Sequence, residues 1–329
     1  MKSRRELLLS LGAGLASAPL RALGQEPGRP RRIGALVSMS RAMVEENIGH
    51  LDRGLRALGW VDGKNLKVEW RFADGNYERL PSLARELVDL GAEVLICFGG
   101  SPAPLAAQKV TTTVPLVFVN VADPVASGLV ESLAHPGKNA TGIANLSDDT
   151  VAKHLEMARS IVPGLDRVAL LSNPSNQTLS KTVGILHTAA AATRTKVVVV
   201  EVATAKEISD GFSRMAVDRP GALLVTGDAF IFQQRHQIAQ QALALRLPSI
   251  GVHVLYAEAG GLLSYGTNSA ENYHRAASFA DRILKGARPG DLPVEQPTRL
   301  LLVVNRKTAK AIGVNIPSEL LLFADKVIE

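Results

Sequence analysis

Val94-Leu95-Ile96-Cys97-Phe98-Gly99-Gly100-Ser101-Pro102-Ala103 is the stretch that decides the fold class. Five apolar residues with no polar alternation read as a strand covered on both faces, the habit of parallel sheets packed between helices. Two glycines, a serine and a proline then read as a tight exit into a helix, because proline suits a first helical turn. Strand, glycine turn and helix make up most of a βαβ unit, and such units build parallel sheets with right-handed crossovers. Cys97, the single cysteine, belongs to the apolar run and reads as a small buried hydrophobe.

The same pattern recurs on both sides. Apolar runs at Ile33–Val37, Leu66–Trp70 and Leu116–Val119 join Val94–Phe98 as one set of four. Val168–Leu171, Val197–Val202, Leu223–Thr226 and Ser249–Val252 form a second set with similar spacing. Helical periodicity fills the gaps, for example over Glu45–Leu58, Leu80–Leu90 and Ile231–Leu245. The intervening stretch Asp123–Asn145 carries Asp123-Pro124, His135-Pro136-Gly137 and Thr141-Gly142, all turn chemistry. The expected architecture is therefore α/β with two lobes, each a parallel sheet flanked by helices. After the second set come a short strand within Gly260–Gly266, a helix over Glu271–Lys285, a Pro-rich passage Pro289–Pro297 and a last strand Leu300–Val304. This tail implies a return to the first lobe and a final crossing to the second, three hinge crossings in all. The expected division is 31–145 plus 267–292 for the N-lobe, and 146–266 plus 293–329 for the C-lobe.

Composition narrows the function classes. Residues 1–24 hold Arg4-Arg5, an apolar run and the exit Ala22-Leu23-Gly24, which reads as a cleaved export leader of twin-arginine type. The run is short and interrupted by Pro19 and Arg21, so a permanent membrane span is not expected. No cysteine stands directly after it, which excludes a lipid anchor and leaves the expectation of a soluble periplasmic chain of about 305 residues, comfortable for two domains. The leader carries four positive charges and one negative, so the formal +6 of the chain falls to +3 without it. No basic block or stripe remains, and nucleic acid is not an expected partner. The seven histidines are scattered, without the spacing of a metal site, and no cofactor or metal is expected.

In open parallel sheets, ligands bind beyond the carboxyl ends of strands, where amides and helix N-termini point outward. Those ends are polar or small here. The first lobe exits through Ser38-Met39-Ser40-Arg41, Gly99-Gly100-Ser101-Pro102 and Asn120-Val121-Ala122-Asp123; the second exits through Ser172-Asn173-Pro174-Ser175, Thr226-Gly227-Asp228 and Gly251-Val252-His253. Ser38, Gly100, Ser101, Asn120, Asp123, Asn173 and Asp228 are the candidate ligand-binding residues, each weighed against a bland role as helix cap or turn former. Glycine at 99 and 100 would let the backbone approach a ligand closely. Aromatics are 4% of the chain, so Tyr265 stands out as a possible wall for a planar ligand, while Phe230 and Phe232 read as core.

Five motifs run along the chain: Gly54-Leu55-Arg56-Ala57-Leu58-Gly59-Trp60-Val61-Asp62-Gly63-Lys64-Asn65-Leu66, Ala73-Asp74-Gly75-Asn76-Tyr77-Glu78-Arg79-Leu80-Pro81, Asp123-Pro124-Val125-Ala126-Ser127-Gly128-Leu129-Val130, Gly260-Gly261-Leu262-Leu263-Ser264-Tyr265-Gly266 and Leu292-Pro293-Val294-Glu295-Gln296-Pro297-Thr298. Together they resemble the ABC-transporter substrate-binding proteins of the uncharacterised/tryptophan-type family. His135 stands in a loop where that family usually shows arginine. The resemblance implies a type I periplasmic-binding fold, a small solute held between the lobes and delivery to an ABC permease in the inner membrane, but not which solute. The Ser, Asn, Asp and Tyr groups at the strand ends fit an amino-acid-like or aromatic molecule, and a monomer without catalytic turnover is expected. A receptor presenting its solute to a membrane sensor is the neighbouring alternative. A secreted serine hydrolase is the competing class: Gly99-Gly100-Ser101-Pro102-Ala103 approaches G-x-S-x-G, with Asp228 and His253 in permissive order. Ala103 breaks that motif, and Pro102 removes the amide an oxyanion hole would use. A repressor-like regulator would need a DNA-reading helix-turn-helix where the leader stands.

Overall fold

The computed structural model describes residues 29–145, 147–176, 179–267, 269–297 and 299–329; the leader expected over residues 1–24 lies outside them. The first sheet is built from β1 (Arg31–Val37), β2 (Leu66–Phe72), β3 (Val94–Phe98), β4 (Leu116–Val121) and β5 (Ala140–Ala144), all parallel, in the order β2-β1-β3-β4-β5. The second contains β6 (Arg167–Ser172), β7 (Lys196–Glu201), β8 (Ala222–Val225), β9 (Ser249–Gly251), β10 (Leu263–Thr267), β11 (Leu300–Asn305) and β12 (Lys326–Ile328), in the order β12-β11-β10-β9-β8-β6-β7. Its pairs are parallel except β10 with β11. Every side chain of β3 is fully buried, which is what its uninterrupted apolar run requires. Each such leucine, isoleucine or phenylalanine contributes roughly 1.5–3 kcal/mol by leaving water.

Strand order reverses between β1 and β3 in the first sheet and between β6 and β8 in the second. At such reversals the helices leave to opposite faces and open a crevice beyond the strand ends. Ser38, Gly99 and Gly100 therefore sit at one crevice, with Ser172, Asn173 and Asp228 at the other. The chain passes between sheets after β5, after β10 and before β11. The helix Ser269–Leu284 returns to the first sheet, where Tyr273 stacks on Phe98 with ring centroids 4.5 Å apart and Trp60 Nε1 donates to Asp281 Oδ1 at 2.8 Å. The last passage comes later than residue 293. Val294 packs in the first lobe's core, its amide donates to Leu133 O, and Glu295 exchanges backbone hydrogen bonds with Gly142 and Ala144.

Two local expectations are corrected. Thr141-Gly142 reads as a turn but lies inside β5. Gly142 has φ 147°, and a Cβ there would stand 2.0 Å from Phe118 O, so the glycine permits close pairing with β4 rather than chain reversal. The periodic run Ile231–Leu245 is not one helix but two, Ala229–Gln233 and Arg235–Ala244, meeting at Gln234. Among the described residues, no helix is long and apolar enough to cross a membrane.

His154 is 1% exposed on the helix Ser147–Ile161 of the second lobe; its Nε2 donates to Tyr265 O at 2.8 Å and its ring meets the Tyr265 ring edge-on. Burial brings its pKa down from 6.5 to about 4, against the pull of that hydrogen bond. The unfolded chain thus binds the extra proton first, and stability is lost as pH falls from 6.5 towards 4. Between pH 7 and pH 5 this histidine alone costs about 2 kcal/mol, or roughly 4–8 °C in melting temperature. Calorimetric scans of His154→Gln, which keeps a donor for the Tyr265 carbonyl, should show a smaller acid shift. An equal shift in both proteins would remove His154 as its source.

Candidate functional site

A cavity of about 160 Å³, measured as space open to the centre of a water-sized sphere, lies between the two crevices. The first lobe lines it with Met39, Asn47, Gly99, Gly100, Asn120 and Tyr273, and with Glu46 at an exposed position. From the second come Asp228, Phe232, His253, Leu255 and Thr267. No lysine or arginine is among the described residues that line it. Its walls are thus mostly apolar and aromatic, with a few polar groups and one buried carboxylate.

That carboxylate belongs to Asp228, 3% exposed, which caps the helix Ala229–Gln233. Its Oδ1 accepts from the Phe230 amide at 2.9 Å, the Ile231 amide at 3.2 Å and Asn173 Nδ2 at 3.2 Å. Its Oδ2 accepts from the Tyr77 hydroxyl of the other lobe at 3.0 Å. Burial raises its pKa above the usual carboxylate value, although these donors favour the ionised form. Tyr77 also accepts from the Phe230 amide at 3.2 Å, so one hydroxyl bridges the lobes twice. Burial and the neighbouring Asp228 charge push the Tyr77 phenol well above its ordinary value, so it remains a donor. A second bridge is the ion pair of Asp123 Oδ2 with Lys181 Nζ at 2.5 Å, the lysine standing on the helix Leu179–Ala192. Burial opposes ionisation of Asp123, but Lys181 and the amides of Ala126 and Val125 hold its pKa below the usual range. These contacts join the lobes across the cleft.

Asn120 adopts φ 62°, the left-handed region that asparagine tolerates better than most residues. Its carbonyl accepts from Asn145 Nδ2, and its Oδ1 accepts from Asn272 Nδ2. Gly99 and Gly100 also have positive φ, and a Cβ on Gly99 would stand 2.9 Å from Ser38 Cβ. The glycines therefore let β1 and the turn after β3 meet beneath the cavity.

Of the residues read from sequence, Gly100, Asn120 and Asp228 line this cavity together. Asn173 supports Asp228 from behind and turns its own loop by accepting from the Ser175 amide. Ser38 is fully buried beside Gly99, its hydroxyl without a hydrogen-bond partner among the described residues. Asp123 initiates a turn through the Val125 and Ala126 amides and forms the bridge to Lys181. Ser101 opens the helix Pro102–Val110 and borders a separate groove with Tyr77, Lys109 and Ser175. Tyr265 lies in the second lobe's core against His154, away from the cavity. Phe232 is the reverse case: expected in the core, it lines the cavity and meets the His253 ring at 4.6 Å. Tyr273, Asn47 and Thr267 gave no local signal, since only the docking of helix and lobes brings them here.

Among the described residues, no hydrogen bond joins Ser101 to His253 or His253 to Asp228. No group of histidine, cysteine, aspartate and glutamate among them is placed to hold a metal ion.

Comparison with known proteins gives a consistent result. Residues 32–328 match the family model described as ABC transporter substrate binding protein. Over 260 residues the chain is 25% identical to a tyrosine-binding protein of Clostridioides difficile (strain R20291), spanning 79% of this chain and 74% of that one. A conserved domain protein of Vibrio cholerae superposes with TM-score 0.85 at 26% identity, covering 91% of this chain and all of the other. A Streptococcus pneumonia ABC domain in complex with L-Trp superposes with TM-score 0.83 at 23% identity, again over 91% of this chain and all of that one.

Proposed function

We propose that this chain, which belongs to the ABC transporter substrate-binding protein family, holds an aromatic α-amino acid in the cavity between its lobes. The observation that carries the solute class is Asp228: a carboxylate, almost wholly buried, on a cavity whose apolar wall is formed by Phe232, Tyr273, Leu255 and Met39. A buried charge calls for an opposite charge, and a ligand ammonium supplies one. With no lysine or arginine on the wall, simple carboxylates, phosphates and sulfates find no ion-pair partner. The ligand carboxylate is then met by dipoles, namely the Gly99-Gly100 backbone and the Asn120 and Asn47 amides. The space is close to that of an engineered apolar cavity of about 150 Å³ that takes up benzene, enough for one ring. Tyrosine and tryptophan in the names of similar proteins support the same class.

A ligand touching both lobes favours the closed arrangement by the difference in its affinity for the two states. Asp228 is placed for this, since it faces the cavity and is bridged by Tyr77 from the opposite lobe. Export by the leader at residues 1–24, action in the periplasm as a monomer and hand-over to a permease without turnover complete the proposal.

The test is native mass spectrometry of protein purified without denaturation, followed by calorimetry with L-tryptophan, L-tyrosine and L-phenylalanine and their N-acetyl derivatives. The expected result is a bound mass of an aromatic amino acid, with N-acetylation weakening binding at least about 100-fold through loss of the ammonium. A copurified sugar, or N-acetyl derivatives that bind equally well, would overturn the proposal.

A further inference from the structure

We infer that His253 is the residue by which the cavity separates aromatic side chains carrying a ring donor, a phenol O–H or an indole N–H, from those without one. The inference rests on the amino-acid reading above and adds the basis of its selectivity. His253 leaves β9 just before the helix Val254–Glu258 and lines the cavity. Its ring leans on Phe232 with centroids 4.6 Å apart and planes inclined at 62°, which fixes its orientation. Among the described residues, neither ring nitrogen has a hydrogen-bond partner, and neither is sealed away from the cavity space. The residue is half-buried on the cavity wall, so a solute that fills the cavity and displaces its water leaves an imidazole nitrogen that only the solute can pair.

The surroundings also set which partner it can take. Burial, helped by the Arg235 charge, lowers the His253 pKa to about 4, so the ring is neutral at working pH. Arg235 stands over the Phe232 ring, its guanidinium carbon 4.5 Å from the centroid. A neutral imidazole has one nitrogen that only accepts, and it needs a donor. A phenol or an indole supplies that donor while its ring lies against Phe232, Tyr273 and Leu255. Phenylalanine fills the same apolar space and leaves the acceptor unpaired, the situation in which a site built for a hydrogen bond rejects the analogue lacking it.

The test is calorimetry with L-tyrosine, L-tryptophan and L-phenylalanine on the full chain and on His253→Phe and His253→Gln. In the unsubstituted protein at least one donor-bearing amino acid should bind about 10-fold or more tighter than phenylalanine. His253→Phe should bring that ratio close to one with phenylalanine affinity little changed, and His253→Gln, which retains an acceptor, should restore part of it. Imidazole ¹⁵N shifts in the unsubstituted protein give a reading independent of how the variants fold: the accepting nitrogen should move with tyrosine or tryptophan and stay with phenylalanine. Equal affinity for all three amino acids, or a ratio that survives His253→Phe, overturns the role of His253 alone. Failure of all three to bind overturns the amino-acid reading and this inference with it.

Discussion

Asp228→Asn is expected to weaken binding of L-tryptophan or L-tyrosine on the order of 100-fold while the melting temperature of the unliganded protein stays within a few degrees. The substitution keeps what folding requires. An asparagine Oδ1 can still accept from the Phe230 and Ile231 amides and from Asn173 Nδ2, the three bonds that close the helix start. It removes the charge that a ligand ammonium needs and turns an amide donor towards the space Oδ2 occupies. Losing a charge-assisted hydrogen bond in a buried site costs about 1.5–3 kcal/mol. Asp228→Ala removes both roles. The Ile231 amide, the Asn173 amide and the Tyr77 hydroxyl then lose their acceptor, while the Phe230 amide keeps only the Tyr77 oxygen, and a drop in stability of about 2–4 kcal/mol accompanies the loss of binding. Calorimetry beside thermal melts separates the two effects. Unchanged affinity in Asp228→Asn would show that this carboxylate only caps its helix, and the ammonium site would have to be sought elsewhere.

Asp228 also bears on which strand-end residues the fold brings to the cavity wall. From sequence, capping and ligand binding read as alternatives, but at a strand-to-helix exit one carboxylate can point one oxygen at the helix and the other at the cleft. Strand runs were legible because a strand buried on both faces leaves no room for alternation. β5 was not legible: Ala140-Thr141-Gly142-Ile143-Ala144 has weak strand propensity and is held by close pairing to β4. β12 was missed for a related reason, being three residues at a sheet edge. Among site residues, Gly100, Asn120 and Asp228 follow from the strand-end rule because topology fixes where those ends go. Tyr273 projects from a helix distant in sequence, and its place depends on how that helix packs against Phe98. Tyr265 misled because it is central in β10, whose ring turns into the lobe's core rather than past its edge.

The largest loss of stability is expected from one added methyl group at Gly266. This glycine is in β10, and a Cβ built on it would stand 1.7 Å from Val252 O and 2.7 Å from Val252 C. Its backbone is not in the left-handed region, so the constraint is space and not conformation. The atoms it would strike are main chain at the end of β9, which cannot turn aside as a flexible side chain can. Either β10 leaves its register beside β11, or the Val252-His253-Val254 segment moves. Overpacking of a close-packed interior costs 1–3 kcal/mol and sometimes more, and a backbone clash falls at the upper end. Gly266→Ala is therefore expected to cost at least about 3 kcal/mol, seen as a fall of roughly 6–12 °C in melting temperature. The strain also reaches the cavity, since His253 and Val254 line it and Gly266 does not. Affinity for L-tyrosine should then fall in the variant even at temperatures where it is folded. Gly184→Ala is the matching control: it lies within the helix Leu179–Ala192 with nothing within 4 Å of the new methyl group. There the better helix propensity of alanine should stabilise the chain by about 0.5–1 kcal/mol. A Gly266→Ala protein that melts with the unsubstituted chain and binds as tightly would show that β9 and β10 yield freely at this point, and that the His253 wall is not held by their close approach.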